Sequence, residues 1–259
     1  MTLAIGIAGI AGRMGRLLAE EVAAAGAALA GGLALPDAMP EMPGVFVTAD
    51  ADALFPRCQV VIDFTHASAT SAHAAAAVRH GVAWVLGTTG LSPSDEADVA
   101  DAARTVPVVY AANFSPGVNL VLALAERMAA ALPADTYDAE ILEMHHRQKV
   151  DAPSGTAVAL GRAVAKGRGT TLEAAGRESG RDGHTGPRGT GTIGFAALRG
   201  GQVVGEHSVI FAAGSEHIIL THRSFDRRAY ATGAVRAALW AAGRPPGLYS
   251  MADVLGMRA

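Results

Sequence analysis

The chain has 259 residues, of which 50% are hydrophobic and 31 are glycine. That length can bury a sizeable core and form either one large domain or two modest ones. The formal net charge of -3, with Lys and Arg scattered along the chain, argues against nucleic-acid binding.

The first 115 residues alternate short apolar runs with longer helical patterns, as parallel strands joined by helices do. The predicted strands are LAIGIAG, LAGGLAL, VVIDFT, AWVLGTT and PVVYAAN. The predicted helices are RMGRLLAEEVAAAG, SATSAHAAAAVRHG and SPSDEADVADAART, the first two of which end in glycine. This order predicts an α/β domain with a parallel sheet.

The pattern changes after Pro116. A long apolar helix, GVNLVLALAERMAAAL, precedes the strand AEILEMHH and a helix that begins near Ser154. Residues 167–191 are rich in Gly, Arg and Thr without periodicity and predict a long loop. The strand candidates TIGFAAL, QVVGEHSVIFA and EHIILTHRS then predict a separate, more antiparallel sheet, and the helix RRAYATGAVRAALWAAG and the short SMADVLG close the chain.

Cysteine and targeting signals are sparse. The single cysteine, Cys58, excludes an intramolecular disulfide, and the apolar run CQVVIDF predicts a buried thiol. No apolar stretch reaches the roughly 18 residues of a membrane span, and the N-terminus lacks a basic leader pattern. We therefore expect a protein of the reducing cytoplasm that does not bind membranes.

The segment GIAGRMG places Gly9, Gly12 and Gly15 between the first predicted strand and its helix. Glycines there permit a tight turn and let backbone N–H groups approach a pyrophosphate. The spacing differs from the usual G-x-G-x-x-G, so a tight turn in an ordinary α/β domain stays open as an alternative. The acid that usually contacts the ribose is displaced, since the second strand ends in Leu35 and Asp37 lies just beyond.

The segment EMHHRQKVDAPSGTA gathers four potential cations in five positions, namely His145, His146, Arg147 and Lys149. Such cations repel one another unless a negative group lies among them, which predicts an anionic ligand. The following PSGT is typical of a helix start, where first-turn N–H groups bind carboxylate or phosphate.

Three other interpretations of this segment are a metal site, a hydrolase site and a solvated loop. Adjacent histidines on a strand point to opposite faces, which disfavours a shared metal, and H-E-x-x-H and Cys pairs are absent from the sequence. A Ser-His-Asp hydrolase is disfavoured because no serine lies in G-x-S-x-G. A solvated basic loop stays open.

Eight short motifs spread over nearly the whole chain: GIAGRMG, VIDFT, GTTG, AANFSPGVN, HHRQKVDAPSGTA, GHTG, GTIGF and VVGEH. In this order they resemble the 4-hydroxy-tetrahydrodipicolinate reductase family, also called dihydrodipicolinate reductases. The resemblance implies a Rossmann-type dinucleotide-binding domain over residues 1–115 and 228–259. It implies an inserted α+β domain over residues 116–227, built on a mixed sheet, that binds substrate and forms a homotetramer.

The resemblance also implies a reaction. The family uses NADH or NADPH to reduce 4-hydroxy-tetrahydrodipicolinate to tetrahydrodipicolinate, with loss of the hydroxyl as water, in the diaminopimelate route to lysine. Its substrate is a small dicarboxylate, which would be the anion that the cationic segment predicts. A related reductase of another anionic metabolite and a non-catalytic NAD(P)H-binding sensor remain as alternatives.

The resemblance assigns roles to individual residues. Proton transfer is implied for His145 and Lys149. The residues implied to contact substrate are His146, Ser154, Gly155 and Thr156. The residues implied to contact the cofactor are Gly9, Ile10, Ala11, Gly12, Arg13, Met14, Gly87, Thr88, Thr89, Ala111, Ala112, Asn113 and Phe114, to which the sequence adds Asp37 as the displaced acid.

Two positions depart from the family pattern. Gln148 stands where some members carry another basic residue. Leu35 and Pro36 stand where members carry an acid and, in some, an arginine, so we expect only modest discrimination between NADH and NADPH.

Overall fold

A computed structural model describes residues 2–257, which form two compact units. Unit 1 joins Met1–Pro116 to Arg228–Ala259, and unit 2 is Gly117–Arg227. These limits lie within one residue of the predicted domain boundaries.

The strands, in chain order, are β1 (Ala4–Ala8), β2 (Ala28–Leu33), β3 (Val47–Thr48), β4 (Val60–Asp63), β5 (Ala83–Leu86), β6 (Pro107–Tyr110), β7 (Asp138–His145), β8 (Arg177–Ser179), β9 (Ile193–Arg199), β10 (Gly205–Ala212), β11 (His217–Ser224) and β12 (Gly247–Tyr249). The α-helices are α1 (Arg13–Ala24), α2 (Ala51–Leu54), α3 (Thr70–His80), α4 (Pro93–Ala102), α5 (Pro116–Ala131), α6 (Gly155–Gly167), α7 (Leu172–Ala175), α8 (Arg228–Ala241) and α9 (Met251–Val254). Among the described residues, no helix is long and apolar enough to cross a membrane.

The sheet of unit 1 has seven strands in the order β12-β6-β5-β4-β1-β2-β3, and all its pairings are parallel. The predicted parallel sheet is therefore confirmed. β3 and β12 are additional to the predicted strands, because they are too short to show an alternation of side chains in the sequence. β5 and β6 are shorter than predicted, because the residues after Leu86 and Tyr110 leave the strands as loops.

Helices cover both faces of this sheet because successive strand residues point to opposite sides. Val60 and Ile62 pack in one core with residues of α1 and α8, whereas Val61 packs in the other with residues of α3 and α4. Cys58 is buried in this second core, as predicted, and burial raises the pKa of its thiol to about 12. Burial therefore disfavours the reactive thiolate form at this position.

The loop between β1 and α1 requires its glycines. Gly9 has φ +85°, a conformation that favours glycine. A Cβ on Gly15 would lie 2.2 Å from the carbonyl oxygen of Gly9, so α1 packs on the loop more closely than any side chain would allow. This packing brings the N-terminus of α1 to the carboxyl edge of the sheet.

The sheet of unit 2 has five strands in the order β11-β10-β7-β9-β8. β10 is antiparallel to both neighbours, whereas β7–β9 and β8–β9 are parallel, so the sheet is mixed. The long loop predicted over residues 167–191 is partly wrong, because it contains α7 and β8. Both elements are too short to give the sequence a periodic signal.

Helices α5 and α6 cover one face of this sheet around a single core. Residues of β7 alternate strictly, so that Ala139, Ile141, Glu143 and His145 are buried on the helix-covered face. The apolar part of this face holds the helices, and its last two positions carry a carboxylate and an imidazole. Strand alternation therefore places two buried ionisable groups side by side.

Candidate active site

The glycine loop of unit 1 leaves a helix N-terminus open. The N–H groups of Gly9 and Ile10 both donate to Leu33 O at 3.0 Å, which holds the loop on β2. Gly12 is the exposed N-cap of α1 and has no side chain to cap it. The N–H groups of Arg13 and Met14 lie in the first turn, where a helix provides no acceptor. These donors and the absence of a side chain at Gly12 fit the pyrophosphate of a dinucleotide.

Two predicted cofactor residues occupy less direct positions. The side chain of Ile10 is fully buried in the core, and its N–H donates to Leu33 O. Ile10 therefore anchors the loop on the sheet. Asp37 is exposed in a short 3-10 turn, Pro36–Ala38, just past the end of β2. Leu35 is 70% exposed where an acid was expected.

The remaining predicted cofactor residues follow two neighbouring parallel strands. Gly87, Thr88 and Thr89 follow β5, and Ala111–Phe114 follows β6. The structure thus brings both groups to the carboxyl edge of one sheet, where open α/β sheets bind ligands.

Packing explains two of these residues. A Cβ on Gly87 would lie 2.4 Å from the ring of Phe64, so only glycine fits there. Phe114 is buried, and its ring centroid lies 5.6 Å from that of Phe64. Thr89 and Ala112, in contrast, are exposed. Contact of each with a cofactor stays a prediction.

A buried carboxylate at the end of β4 was missed. Asp63 is fully buried and its oxygens lie 2.7 Å from His73 Nδ1 and 3.2 Å from Trp84 Nε1. It also accepts from the backbone N–H and the hydroxyl of Thr65, at 3.1 and 2.6 Å. This network fixes the strand end beside Thr88, whose Oγ1 accepts from Thr65 N at 3.2 Å. An acid inside an apolar strand, VVIDF, is the signal that could have revealed it.

In unit 2, the carboxylate of Glu143 is completely buried and receives donors on both oxygens. Its Oε1 accepts from Ser154 N at 3.0 Å and from Arg199 Nη2 at 2.8 Å. Its Oε2 accepts from Arg199 Nη1 at 2.8 Å and lies 2.5 Å from His145 Nδ1. We call these four residues the Glu143 network. His145 and Ser154 were predicted as site residues from the sequence, whereas Glu143 and Arg199 were not.

The Glu143 network keeps its carboxylate ionised. Burial acts to raise the pKa of Glu143, but the hydrogen bonds from Arg199, His145 and Ser154 N outweigh it and hold that pKa below its ordinary value. The same carboxylate raises the pKa of Arg199. The network is therefore an ion pair with a neighbouring imidazole.

Lys149 is held beside the network by a second carboxylate. Its Nζ lies 2.8 Å from Asp151 Oδ1, and Arg199 Nη2 donates to the carbonyl oxygen of Asp151 at 2.7 Å. The hydrogen bond and the charge of Lys149 lower the pKa of Asp151.

These contacts correct the argument from charge repulsion. The segment and its contacts contain three cations, Arg147, Lys149 and Arg199. Two carboxylates, Glu143 and Asp151, lie among them, so the formal charge is +1 when the histidines are counted as neutral. The chain thus supplies much of the negative charge that repulsion alone assigned to a ligand. A purely solvated basic loop is equally wrong, because His145 is 8% exposed and lies within the sheet.

The predicted helix start is confirmed. Ser154 is the N-cap of α6, and its Oγ accepts from Ala157 N at 3.2 Å. Because Ser154 is buried and its N–H is donated to Glu143, a ligand at this helix start would meet the next residues instead. Gly155 is exposed, and a Cβ there would meet no atom within 4 Å. Substrate contact by Ser154, Gly155, Thr156 and His146 stays a prediction.

His207, also missed, completes the buried polar region. Its Nε2 lies 3.0 Å from Ser154 Oγ, and its ring meets that of His145 edge-on with centroids 5.0 Å apart. It pairs across strands with His222. Burial, and then the charges of neighbours such as His145, lower the pKa of His207 to about 4. In the part of the chain that the structure describes, no group of three His, Cys, Asp or Glu could hold a metal ion.

The lowered pKa of His207 predicts acid sensitivity. With an unfolded pKa near 6.5 and a folded pKa of about 4, the unfolded chain binds a proton first as pH falls. The free energy of unfolding should therefore drop by up to about 2 kcal/mol between pH 6.5 and 5, measured by urea unfolding. In His207→Gln this part of the slope should vanish. Identical slopes in both proteins would refute the assignment.

Comparisons with known proteins identify the family. Residues 3–114 match the family model "Dihydrodipicolinate reductase, N-terminus", and residues 117–255 match "Dihydrodipicolinate reductase, C-terminus". A relative named 4-hydroxy-tetrahydrodipicolinate reductase from Granulibacter bethesdensis is 64% identical over 99% of this chain and 98% of its own. One of the same name from Gluconacetobacter diazotrophicus is 65% identical over 98% of this chain and 97% of its own.

A solved structure supports the fold. The dipicolinate-bound dihydrodipicolinate reductase from Paenisporosarcina sp. TG-14 superposes with a TM-score of 0.81 at 24% identity, over 98% of this chain and 99% of that one. Both family models together span nearly all of the sequence, in which a parallel-sheet unit is followed by one with a mixed sheet. This chain therefore belongs to the dihydrodipicolinate reductase family, whose members are NAD(P)H-dependent oxidoreductases.

Proposed function

We propose that this chain reduces 4-hydroxy-tetrahydrodipicolinate to tetrahydrodipicolinate, with loss of water, in the diaminopimelate route to lysine in the cytoplasm. The observation that carries the proposal is a buried His145 and a partly buried Lys149 beside the exposed start of α6. Family membership and the dipicolinate named with the Paenisporosarcina relative support it.

The substrate carboxylate is assigned to the start of α6. First-turn N–H groups at a helix N-terminus carry partial positive charge, and Gly155 leaves the approach to them open. Arg147 is exposed, and His146 is half-buried just past the end of β7, so both add donors on the same segment. A dicarboxylate fits a site that combines these groups.

The reduction needs a hydride and a proton. Bound NADH or NADPH supplies the hydride. We assign the proton to Lys149, whose ammonium is held by Asp151, with His145 as second donor or relay.

The cofactor is assigned to unit 1. Gly12, Arg13 and Met14 would bind the pyrophosphate through the N-terminus of α1. At the ribose end, Leu35 offers neither the acid that favours NADH nor the cation that favours NADPH. With Asp37 displaced into the next turn, both cofactors are expected to serve.

Lys149→Ala and His145→Ala test the catalytic assignment. Each should lower kcat by roughly 10²- to 10⁴-fold, the usual contribution of a general acid, while the Kd for NADPH stays near wild type. Turnover is followed with NADH and with NADPH separately.

Lys166→Ala is the matched control, since this exposed lysine of α6 pairs only with Glu126 among the described contacts. Unchanged kcat in both test variants would overturn the assignment. If the wild type binds NADPH but does not turn over the dicarboxylate, the alternative of a non-catalytic NAD(P)H-binding sensor would be favoured.

Gly155→Val tests the anion site. A Cβ at this position meets no atom within 4 Å, so the fold should be retained, but the valine would obstruct a carboxylate at the start of α6. We expect KM for the dicarboxylate to rise about tenfold or more, equivalent to roughly 1.4 kcal/mol, with the Kd for NADPH unchanged.

Gly214→Val is the control for this variant, because a Cβ at Gly214 also meets nothing within 4 Å. A higher Kd for NADPH with an unchanged KM for the dicarboxylate would mean that Gly155 belongs to the nucleotide site.

The uncovered face of the unit 2 sheet suggests how the chain assembles. Helices α5 and α6 pack on one face, whereas the other carries apolar side chains that are partly or largely exposed, namely Leu142, Met144, Leu198, Ile210 and Ile219. The polar pair Ser208–Thr221 and the ion pair Glu206–Arg223 lie on the same face. Exposed apolar side chains with polar groups among them are typical of a surface that binds another protein. We propose that a second copy of this chain covers the face, as one interface of a homotetramer.

Ile219→Asp tests this assembly. Ile219 is 52% exposed on β11, and a carboxylate buried there without a partner would separate the copies. Light scattering should give four times the 26.3 kDa chain mass for the wild type and a smaller assembly for the variant.

The matched control is Leu239→Asp, since Leu239 is 44% exposed on α8 of unit 1 and should leave the mass unchanged. A monomeric wild type, or a variant that keeps the full mass, would contradict the proposal.

A further inference from the structure

We propose that Glu143, fixed by Arg199, is the positioning residue that sets the tautomer and ring orientation of His145 and so presents His145 Nε2 for proton transfer. The kinetic part of this inference rests on the proposed function. The structural part does not.

The acceptor capacity of Glu143 is fully used. An ionised carboxylate offers about four lone-pair positions, two on each oxygen. The Glu143 network places two contacts on Oε1 and two on Oε2, all between 2.5 and 3.0 Å. A saturated carboxylate can neither rotate nor exchange a partner without losing a hydrogen bond.

This saturation determines the proton on His145. Glu143 is ionised and carries no hydrogen, so the short contact to Nδ1 requires that Nδ1 donates. When the imidazole is neutral, the lone pair is then on Nε2. A Cβ on Gly205 would lie 3.0 Å from that nitrogen, so the absence of a side chain there keeps Nε2 uncrowded.

Arg199 gives the carboxylate its orientation and balances its charge. Its two Nη atoms contact the two oxygens separately, which is a bidentate geometry. The same guanidinium donates to Asp151 O, in the segment that holds Lys149. Glu143 also accepts a hydrogen bond from the backbone N–H of Ser154. One carboxylate therefore links the His145 ring, the Lys149 segment and the start of α6.

Glu143→Gln tests the inference with almost no change of shape. An amide has only one acceptor oxygen, so its NH₂ group must face donors from which the carboxylate had accepted hydrogen bonds. We expect kcat to fall about 10- to 100-fold, as for other residues that orient a functional imidazole, with KM for the dicarboxylate within about threefold. Nitrogen chemical shifts of labelled histidines should show Nδ1–H for His145 in the wild type and a changed tautomer in the variant.

The control is Glu21→Gln, a carboxylate of unit 1 that is likewise bound to an arginine, Arg228, at 2.6 Å. It should change neither kcat nor the His145 signal. If Glu143→Gln fails to fold, Arg199→Lys keeps the charge but loses the bidentate contact, and should give a smaller fall in kcat of about 3- to 10-fold.

A double variant separates positioning from general structural damage. If Glu143 acts through His145, adding Glu143→Gln to His145→Gln should cost less than about twofold further in kcat. Losses that multiply would overturn the inference, as would a wild-type His145 with its proton on Nε2. A wild type that does not turn over the dicarboxylate would refute the proposed function instead, because the tautomer is read without turnover.

Discussion

The arrangement of unit 2 depends on one buried carboxylate. Removing Glu143 from water is costly unless every lone pair finds a donor, and the chain provides an arginine, an imidazole and a backbone N–H. These donors come from three separate stretches of sequence, so satisfying Glu143 brings β7, the end of β9 and the start of α6 together. Deleting any of these donors would leave an unpaired lone pair on the buried carboxylate, and the geometry is correspondingly well determined.

The ligand contacts proposed for the two units rest on different groups. In unit 1 the proposed contacts are mainly backbone N–H groups, made accessible by glycines at which a Cβ would clash with the loop or with Phe64. In unit 2 the first-turn N–H groups of α6 are joined by charged side chains whose orientation depends on other side chains. Substitutions in unit 1 should therefore act mostly through shape, and substitutions in unit 2 through hydrogen-bond partners and charge as well as through shape.

Features of the fold and site could be predicted from the sequence where they depend on residues close together in the chain. Strand alternation and helix-start residues are local, so the parallel sheet, β7 and the Ser154 cap were predicted correctly. Alternation also places Glu143 on the same face as His145, and a closer reading would have selected it. Arg199 and His207 lie more than fifty residues away in sequence, and only the strand register shows that they meet Glu143 and Ser154. The start of α6 was thus predicted correctly, whereas the hydrogen bond from Ser154 N to Glu143 was not predicted.

The same network bears on why the proposed ligand is a dianion. Glu143 and Asp151 together balance two of the cations Arg147, Lys149 and Arg199, which leaves one formal positive charge near a helix N-terminus worth about half a charge more. A neutral ligand would leave that charge uncompensated. A ligand with two carboxylates is attracted by this excess of about one and a half positive charges, which lies on the segment that also holds the proposed proton donor Lys149. The electrostatics of the segment therefore favour an acidic ligand over a neutral one, in agreement with the dicarboxylate substrate proposed for the chain.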